Sequence, residues 1–389
     1  MKKTEMKVRV ALIGVGGMGR KYAEMIVAGK VPSMELTALV CRNAQAKAWG
    51  ESLSGERAIY VSAEELFAHP DEYDAVLIVT PHRTHPELAL KAFALGKHVL
   101  CDKPAGVAVS QAQAMAEAAE REKRLYGMIF HQRLYPKYRK IKELLESGAL
   151  GKLNRILLVN TRYFRTEYYH HSGSWRSSWN GEGGGALINQ GQHILDIWQW
   201  LFGMPERLTA QIPFGKYNDF MVDDEAVISM TYPDNLSALF VLTTGEPVHQ
   251  ERLEITGSRG KLLMEDDTLH IWRYDDDSCH YAKTAQVTDG KLLGVTEEVI
   301  HIEKDEEPYP QMLENFAQAV LCDDPSLLIA PGAEAVNPLM LTNAAYLSAW
   351  KGRTVALPVD GEEYDECLAE KCREEAALFR TENPVPGIP

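Results

Sequence analysis

The chain has 389 residues, of which 45% are hydrophobic and 25% are charged, and its formal net charge is −14. This length predicts two domains rather than one core, and the composition is typical of a soluble globular protein. The negative charge argues against a nucleic acid or an anionic membrane as partner, because both need a basic surface. No run is long and apolar enough to span a bilayer.

The first residues, MKKTEMKVRVALIGVGG, join basic residues to an apolar run, as a signal peptide does. The run is short and breaks into glycines, so we predict a first strand instead. The six cysteines include no C-x-x-C pair. We therefore expect reduced thiols in a cytoplasmic protein.

Strand-like and helix-like segments alternate through the first third of the chain. Apolar runs predict strands over residues 8–13, 36–40, 74–79, 98–101 and 125–130. Between them lie a helical stretch from about Arg20, a capping-box pattern from Ser62 to Glu65, an amphipathic stretch that ends at Gly96 and a helix capped by Ser110. This alternation predicts a parallel, doubly wound α/β sheet, and we assign residues 1–136 to a Rossmann domain.

Hairpin signals dominate the middle of the chain after Pro136. Residues 226–232 and 236–244 flank the turn PDN, and residues 252–256 and 261–264 flank GSRG. Helical patterns return in the last part, including a charged helix over about 362–380. We therefore expect residues 137–389 to form an α+β domain with an open, mainly antiparallel sheet.

The segment GVGGMG has the spacing G-x-G-x-x-G at Gly14, Gly16 and Gly19. The pattern gains meaning because it follows a predicted strand and opens a helix, which favours a dinucleotide site over a merely glycine-rich turn. Gly14 permits a tight turn, Gly16 lets the backbone approach a pyrophosphate, and Gly19 lets the helix pack close to the strand.

The end of the second strand bears on the choice of dinucleotide. An acid at this place holds the ribose 2′-hydroxyl of NAD, but the chain has VCRN, from Val40 to Asn43. Arg42 instead offers a cation for a 2′-phosphate, which favours NADP. The alternative is that Arg42 is a solvated loop residue and that NAD binds through other contacts.

An unusual trio, Asp102-Lys103-Pro104, follows the fourth predicted strand. Taken alone it indicates a solvated turn, since lysine is seldom buried and proline ends strands. However, ligands of open α/β sheets bind beyond the carboxyl ends of the strands. Lys103, the glycine loop and the segment TPHRTHP from Thr80 to Pro86 all lie at that edge, which favours a site residue.

Four segments together resemble the oxidoreductase family of glucose–fructose oxidoreductase and myo-inositol dehydrogenase (Gfo/Idh/MocA). They are GVGGMG, VTPHRTHPELALKAFALGKHVLCDKP, WRSSWNGEGGGALINQGQHILD and ENFAQAV. The resemblance covers nearly the whole chain. It implies an NAD(P)-dependent oxidoreductase that acts on CH–OH groups.

The resemblance also implies roles for single residues on the nucleotide side. Lys103 matches the catalytic lysine of a Glu-Lys-Pro motif whose Lys-Pro bond is usually cis, although Asp102 is one methylene shorter. His85 matches a family histidine, whereas His82 stands where asparagine is common. The candidate cofactor-binding residues are Gly14, Gly16, Gly17, Met18, Gly19, Cys41, Arg42, Thr80, Pro81, His82, His85, Asp102, Lys103, Trp175 and Arg176.

Asn189, His193 and Asp196 are spaced to share one face of a predicted helix. By itself a histidine on an apolar helix is usually a satisfied core residue, but the resemblance makes His193 the catalytic histidine. Asn189 stands where most members have an aspartate. An amide can orient a hydroxyl but cannot take its proton, so the final proton acceptor stays open.

Aromatic and arginine residues crowd the stretch from Arg162 to Trp179. Such a loop either stacks on a sugar or aglycone, with Arg165 and Tyr168 as candidates, or anchors the chain against a neighbour. The pair Trp175-Arg176 matches a family Trp-Arg pair near the cofactor. The candidate substrate residues are Lys103, Arg165, Tyr168, Asn189 and His193, and the candidate catalytic residues are Lys103, His193 and Asn189.

The sequence thus predicts hydride transfer between a nicotinamide cofactor, NAD(P) with NADP favoured, and a secondary hydroxyl of a sugar, glycoside or cyclitol. One alternative is a glycoside-processing enzyme that oxidises C3 with a retained cofactor, and another is a non-enzymatic nucleotide-sensing regulator. We expect no metal, since no histidine pair has a ligand spacing. We expect a small-molecule substrate and a homo-oligomer, a dimer or tetramer, formed through the C-terminal sheet.

Overall fold

The computed structural model describes residues 6–173, 175–288, 293–303 and 307–382. The described chain divides into two compact units. The first comprises residues 6–134, 181–183 and 307–339, and the second comprises the remaining described residues. The sequence predicts one domain over residues 137–389, whereas the structure groups residues 181–183 and 307–339 with the first unit.

The first unit contains a parallel sheet. In the part of the chain that the structure describes, six strands form it in the order β3-β2-β1-β4-β5-β6. They are β1 (Val8–Ile13), β2 (Met34–Val40), β3 (Ala58–Tyr60), β4 (Ala75–Ile78), β5 (His98–Cys101) and β6 (Tyr126–Met128). This is the strand order of a dinucleotide-binding sheet. All strands are parallel, and the direction in which successive strands are added to the sheet reverses between β1 and β4. The Rossmann prediction is confirmed, although the three-residue β3 was not predicted.

Helices connect these strands. They are α1 (Gly17–Val27), α2 (Ala44–Ser52), α3 (Ala63–Phe67), α4 (His85–Ala94) and α5 (Val109–Arg121). Ser62 caps α3, because its hydroxyl accepts a hydrogen bond from Glu65 N at 3.2 Å, while the Glu65 carboxylate accepts one from Val61 N at 2.8 Å. The predicted cap of α5 is wrong. That helix begins at Val109, one residue before Ser110.

Helix α11 (Pro308–Cys322) belongs to the first unit, where it contacts both an early and a late part of residues 6–134. The ring of Tyr309 lies 5.8 Å from the ring of Tyr22 on α1 and 4.2 Å from the ring of His131. The Glu314 carboxylate accepts hydrogen bonds from the backbone N–H and the hydroxyl of Ser33, at 3.0 and 2.6 Å. Contacts between residues so far apart in the chain leave no pattern in the local sequence, so the place of this helix in the first unit was not predicted.

The second unit contains a larger sheet. Among the described residues, nine strands form it in the order β14-β13-β12-β11-β7-β10-β9-β8-β15. They are β7 (Leu153–Asn160), β8 (Arg207–Gln211), β9 (Glu225–Thr231), β10 (Ser237–Thr243), β11 (Glu251–Gly257), β12 (Gly260–Glu265), β13 (Thr268–Tyr274), β14 (Val295–His301) and β15 (Val355–Ala356). Strands β7 and β10 are parallel, and the other pairs are antiparallel. The predicted mainly antiparallel sheet is confirmed.

One face of this sheet is covered by helices. The helices of the second unit are α6 (Pro136–Glu146), α7 (Glu167–His170), α8 (Ala186–Asn189), α9 (Gly191–Phe202) and α10 (Ser278–Thr284), followed by α13 (Gly361–Glu382); α12 (Val336–Lys351) begins in the first unit. Trp198 of α9 is fully buried, 5.7 Å from the ring of Phe240 on β10, and its indole N–H donates to Tyr232 at 2.8 Å. Along the part of the chain described, no helix combines the length and apolarity needed to cross a membrane.

Candidate active site

The glycine loop joins β1 to α1 in the conformation that its spacing predicts. Gly14 has φ of +107°, and a Cβ there would lie 2.4 Å from the carbonyl oxygen of Val79. A Cβ on Gly19 would lie 1.8 Å from the carbonyl oxygen of Gly14, whereas a Cβ on Gly16 would meet nothing within 4 Å. The first and third glycines are thus needed by the fold, and the second faces open space.

The start of α1 suits an anionic group. Gly16 is its N-cap residue, the first turn contains no acid, and Gly16 and Gly17 are exposed while Met18 is half-buried. The N–H groups at a helix start and the helix dipole both favour negative charge. These residues therefore fit the pyrophosphate of a dinucleotide.

Two arginines lie near the carboxyl end of β2. Cys41 is buried, which raises the pKa of its thiol, and Arg42 beside it is exposed. Arg20, on the first turns of α1, donates from Nε to the carbonyl oxygen of Val15 at 3.1 Å. Its guanidinium carbon lies 5.0 Å from the centre of the Trp49 ring. Arg20 was not among the predicted cofactor residues, although its charge directly after the glycine motif is a signal that the sequence shows.

His85 links the segments that follow β4 and β5. It is fully buried, its Nδ1 lies 2.8 Å from the carbonyl oxygen of Pro104, and its Nε2 lies 2.6 Å from that of Thr80. Burial lowers the pKa of the imidazole, whereas these two carbonyl contacts and the Asp102 carboxylate oppose the shift. His82 is also buried, with Nδ1 3.0 Å from the carbonyl oxygen of Glu182.

Lys103 lies in the turn after β5, and Lys103 and Asp102 are both half-buried. The Lys103-Pro104 peptide is cis, as the resemblance implies. The Asp102 carboxylate accepts a hydrogen bond from Lys103 N at 2.8 Å. Burial raises the pKa of Asp102, and the positive charges of Lys103 and His85 oppose the shift. The structure thus groups Asp102, Lys103, His85 and Thr80 at one edge of the parallel sheet.

In the second unit, a buried carboxylate fixes the start of the segment with Asn189 and His193. Asp223 accepts hydrogen bonds from Gly185 N at 2.8 Å, Leu187 N at 2.6 Å and the Tyr346 hydroxyl at 2.6 Å. Burial raises the pKa of Asp223, and these hydrogen bonds oppose the rise. No local pattern in the sequence marks Asp223, because its hydrogen-bond partners are distant along the chain.

The predicted helix with Asn189 and His193 forms as α8 and α9. They meet at Gln190, whose backbone is itself right-handed helical (φ −70°, ψ −38°). Asn189 is buried and His193 half-buried. Asp196 is fully buried and accepts a hydrogen bond from Gln199 at 3.1 Å.

The aromatic and arginine stretch contacts α8 through Tyr169, which was not among the predicted substrate residues. Tyr168 is 85% exposed, whereas its neighbour Tyr169 is half-buried. The Tyr169 oxygen accepts hydrogen bonds from Asn189 and Arg176, and Arg165 lies over the Tyr169 ring with its guanidinium carbon 4.4 Å from the ring centre. Arg176 also lies 4.7 Å from the Trp175 ring.

Among the described residues, no group of three His, Cys, Asp or Glu side chains is arranged to hold a metal ion.

Comparisons with known proteins agree with this fold. Residues 8–130 match the model of the oxidoreductase family with an NAD-binding Rossmann fold, and residues 138–263 match the GFO/IDH/MocA C-terminal domain. An uncharacterised oxidoreductase of Synechocystis is 29% identical over 224 residues, which cover 54% of this chain and 59% of that protein. The chain thus spans less than two thirds of that relative.

Another relative is the NADP-dependent scyllo-inositol 2-dehydrogenase of Bacillus subtilis, 25% identical over 73% of this chain and 79% of that protein. Among solved structures, the WlbA dehydrogenase of Bordetella pertussis, in complex with NADH and UDP-GlcNAcA, is similar in fold. Its TM-score is 0.75 and its identity 21%, over 91% of this chain and all of that one. With both domain models matched in chain order, this protein belongs to the GFO/IDH/MocA family of oxidoreductases with an NAD-binding Rossmann fold.

Proposed function

We propose that this protein is an NAD(P)-dependent dehydrogenase that oxidises a secondary hydroxyl of a sugar, glycoside or cyclitol. The proposal rests on one observation above all. A half-buried lysine, Lys103, follows β5 at the sheet edge where the glycine loop follows β1, and its turn is held by contacts of Asp102 and His85. One relative is named a scyllo-inositol 2-dehydrogenase, and the WlbA dehydrogenase of similar fold is in complex with UDP-GlcNAcA; both names support the substrate class.

The residues of the first unit fit a nicotinamide dinucleotide. Gly16 faces open space at the start of α1, so its backbone is accessible to a pyrophosphate. Arg42 and Arg20, both cations near the end of β2, favour a cofactor with a 2′-phosphate. When bound, the oxidised nicotinamide supplies the hydride acceptor.

In the proposed chemistry, Lys103 hydrogen-bonds the hydroxyl that is oxidised, and His193 is a second group that handles its proton. Asn189 orients that hydroxyl, because an amide donates and accepts hydrogen bonds without changing charge. Arg165 and Tyr168 stay candidates for contact with the sugar, and Trp175 and Arg176 stay candidates for contact with the cofactor.

We also propose that the open face of the nine-stranded sheet contacts a second copy of the chain. Half-buried Leu239 and Val241 alternate with buried residues along β10, and Leu157 and Val159 do the same along the neighbouring β7. An apolar stripe of this kind is typical of an interface. Light scattering in solution tests this, and a monomer at micromolar concentration would contradict it.

The experiment for the function is an assay of a panel of sugars, glycosides and cyclitols with NAD⁺ and NADP⁺, together with mass spectrometry of small molecules bound to the purified protein. Steady formation of NAD(P)H supports the proposal. A bound cofactor that is never released, with no net reduction, would instead support a retained-cofactor glycoside-processing enzyme. Tight dinucleotide binding without turnover on any compound would support a regulator.

A further inference from the structure

The side chain of Arg20 is held at two points, one on the glycine loop and one on α2. Its Nε donates to the carbonyl oxygen of Val15 at 3.1 Å, and its guanidinium carbon lies 5.0 Å from the centre of the Trp49 ring. Arg20 and Trp49 are both half-buried. Among the described residues, no hydrogen bond or ion pair occupies the two Nη groups of Arg20. Four N–H donors of a rigid, oriented fork are therefore left for a ligand.

The charge of Arg20 acts at the carboxyl end of β2. Burial raises the pKa of the Cys41 thiol, and the positive charge of Arg20 opposes the rise, so this charge is within reach of the first residue after the strand. In a sheet of this strand order, the 2′-position of the adenosine ribose lies at the end of the second strand. Arg20 thus extends from the pyrophosphate loop toward the place of the ribose 2′-position.

The surroundings of this place favour an anion over a neutral hydroxyl. The first turns of α1 and α2 contain no acid, and residues 41–45 read Cys-Arg-Asn-Ala-Gln. Glu51, whose charge also acts on Cys41, is exposed and lies 3.9 Å from Lys47 at the other side of α2's last turns. A phosphate meets a fixed cation here, whereas a ribose hydroxyl finds no acid in residues 41–45 to accept its hydrogen bond.

We propose that Arg20 selects NADP over NAD by binding the 2′-phosphate, and that Trp49 is the positioning residue that holds its guanidinium for this contact. This inference rests on the dinucleotide site of the proposed function. Arg42, the residue that the sequence favours for the role, is exposed, and among the described residues no contact holds its side chain in place. A guanidinium that is already oriented loses less side-chain entropy when it binds a phosphate.

The first test is calorimetric titration of the protein with NADP⁺ and with NAD⁺, without any sugar. We expect the wild type to bind NADP⁺ about tenfold or more tightly than NAD⁺. In Arg20→Gln, the NADP⁺ affinity should fall about 30-fold and the NAD⁺ affinity less than about threefold, since only NADP⁺ carries the phosphate. Equal wild-type affinities, or an equal loss for both dinucleotides in Arg20→Gln, would overturn the inference.

Arg42→Gln is the matched variant, because it removes the same charge from the neighbouring loop. It should weaken NADP⁺ binding less than about threefold, as for a screened charge on a mobile side chain. If Arg42→Gln abolished the preference for NADP⁺ and Arg20→Gln preserved it, the assignment to Arg20 would be overturned.

Replacement of Trp49 tests its positioning role. In Trp49→Leu, which removes the aromatic face, the NADP⁺ affinity should fall about three- to fivefold and the NAD⁺ affinity should stay within about twofold. Trp49→Phe keeps an aromatic face and should restore most of the loss. The control is Trp200→Leu in the second unit, whose ring lies 4.8 Å from the Lys142 ammonium. It should leave both affinities unchanged, and wild-type NADP⁺ affinity in Trp49→Leu would overturn the role of Trp49.

The double variant with Arg20→Gln and Trp49→Leu shows whether Trp49 acts through Arg20. If it does, the double variant binds NADP⁺ as Arg20→Gln alone does, because the second change has nothing left to misplace. A purely structural role of Trp49 predicts instead that the two losses add and that NAD⁺ binding weakens too. That result would overturn the positioning role.

These titrations do not depend on the reaction. A protein whose NADP⁺ preference follows Arg20, but that oxidises no sugar, glycoside or cyclitol, would overturn the proposed function and leave this inference. A protein that oxidises such a compound but binds NAD⁺ as tightly as NADP⁺ would overturn this inference and leave the proposed function. Binding of neither dinucleotide would overturn both.

Discussion

The imidazole Nδ1 of His85 lies 2.8 Å from the carbonyl oxygen of Pro104, and this contact joins the start of α4 to the turn with Lys103. The other ring nitrogen lies 2.6 Å from the carbonyl oxygen of Thr80. One buried side chain therefore holds two of the loops at the carboxyl edge of the parallel sheet.

Replacement of His85 by alanine is expected to destabilise the protein and to lower kcat. The change leaves two carbonyl oxygens and a cavity in the interior, which costs about 2–4 kcal/mol in the free energy of unfolding. Denaturant unfolding measures the loss. His301→Ala, at an exposed histidine on β14, serves as control and should change stability by less than about 0.5 kcal/mol. Equal stability of the two variants would contradict this role of His85.

Two glycines of the loop are expected to respond differently to alanine. Gly19→Ala should lower the melting temperature, because the new Cβ would lie 1.8 Å from the Gly14 carbonyl oxygen. Gly16→Ala should keep the wild-type melting temperature, since nothing lies within 4 Å of its Cβ, yet weaken dinucleotide binding on the order of tenfold. Thermal unfolding and calorimetric titration measure the two effects. Wild-type dinucleotide affinity in Gly16→Ala would contradict the assigned pyrophosphate contact.

Loss of the Asp223 carboxylate is expected to disturb the segment before Asn189. In Asp223→Asn, an amide NH₂ replaces one of the two carboxylate oxygens. It then faces the backbone N–H of Gly185 or of Leu187, so that two donors meet and no hydrogen bond forms. We expect the free energy of unfolding to fall by about 1–3 kcal/mol. Tyr346→Phe removes the hydroxyl that donates to Asp223 at 2.6 Å and accepts from Gly185 N at 3.3 Å, but it leaves both backbone hydrogen bonds of the carboxylate and should cost less. A larger loss in Tyr346→Phe than in Asp223→Asn would contradict the importance of the two backbone contacts.

His98 is expected to make the stability of the protein depend on pH. Burial and the nearby charge of Arg124 lower its pKa to about 4, and its Nδ1 accepts a hydrogen bond from Leu125 N at 3.0 Å, which requires that this nitrogen carry no proton. An unfolded histidine has a pKa of about 6.5, so the unfolded chain binds the proton first as the pH falls. The stabilisation by neutral His98 is therefore complete above about pH 6.5 and is lost as the pH falls from about 6.5 to about 4.

The matched variant is His98→Asn, which keeps an acceptor for Leu125 N but does not titrate. Between pH 7 and pH 4.5 the wild type should lose roughly 1–2 kcal/mol more than this variant, less than the full shift because the ring is partly exposed. Chemical denaturation at a series of pH values provides the comparison. If the free energy of unfolding changed with pH in the same way in both proteins, the lowered pKa of His98 would be contradicted.

The sequence predicted those features that depend on local pattern. The glycine spacing, the apolar strands and the residues directly after them were found because each is contiguous in the chain. Tyr169 was missed in favour of Tyr168, since adjacent tyrosines look alike until the fold exposes one and turns the other toward Asn189. Asp223 and the return of residues 307–339 to the first unit depend on contacts between distant parts of the chain, which one sequence does not display.

The central claim is that Lys103 acts on the hydroxyl that is oxidised. The direct test compares wild type with Lys103→Met for NAD(P)H formation on the best substrate of the panel, with dinucleotide binding measured beside it. We expect the rate to fall about 1,000-fold while the dinucleotide affinity stays within about threefold of wild type. A Lys103→Met protein that binds dinucleotide and turns over at the wild-type rate would contradict the account.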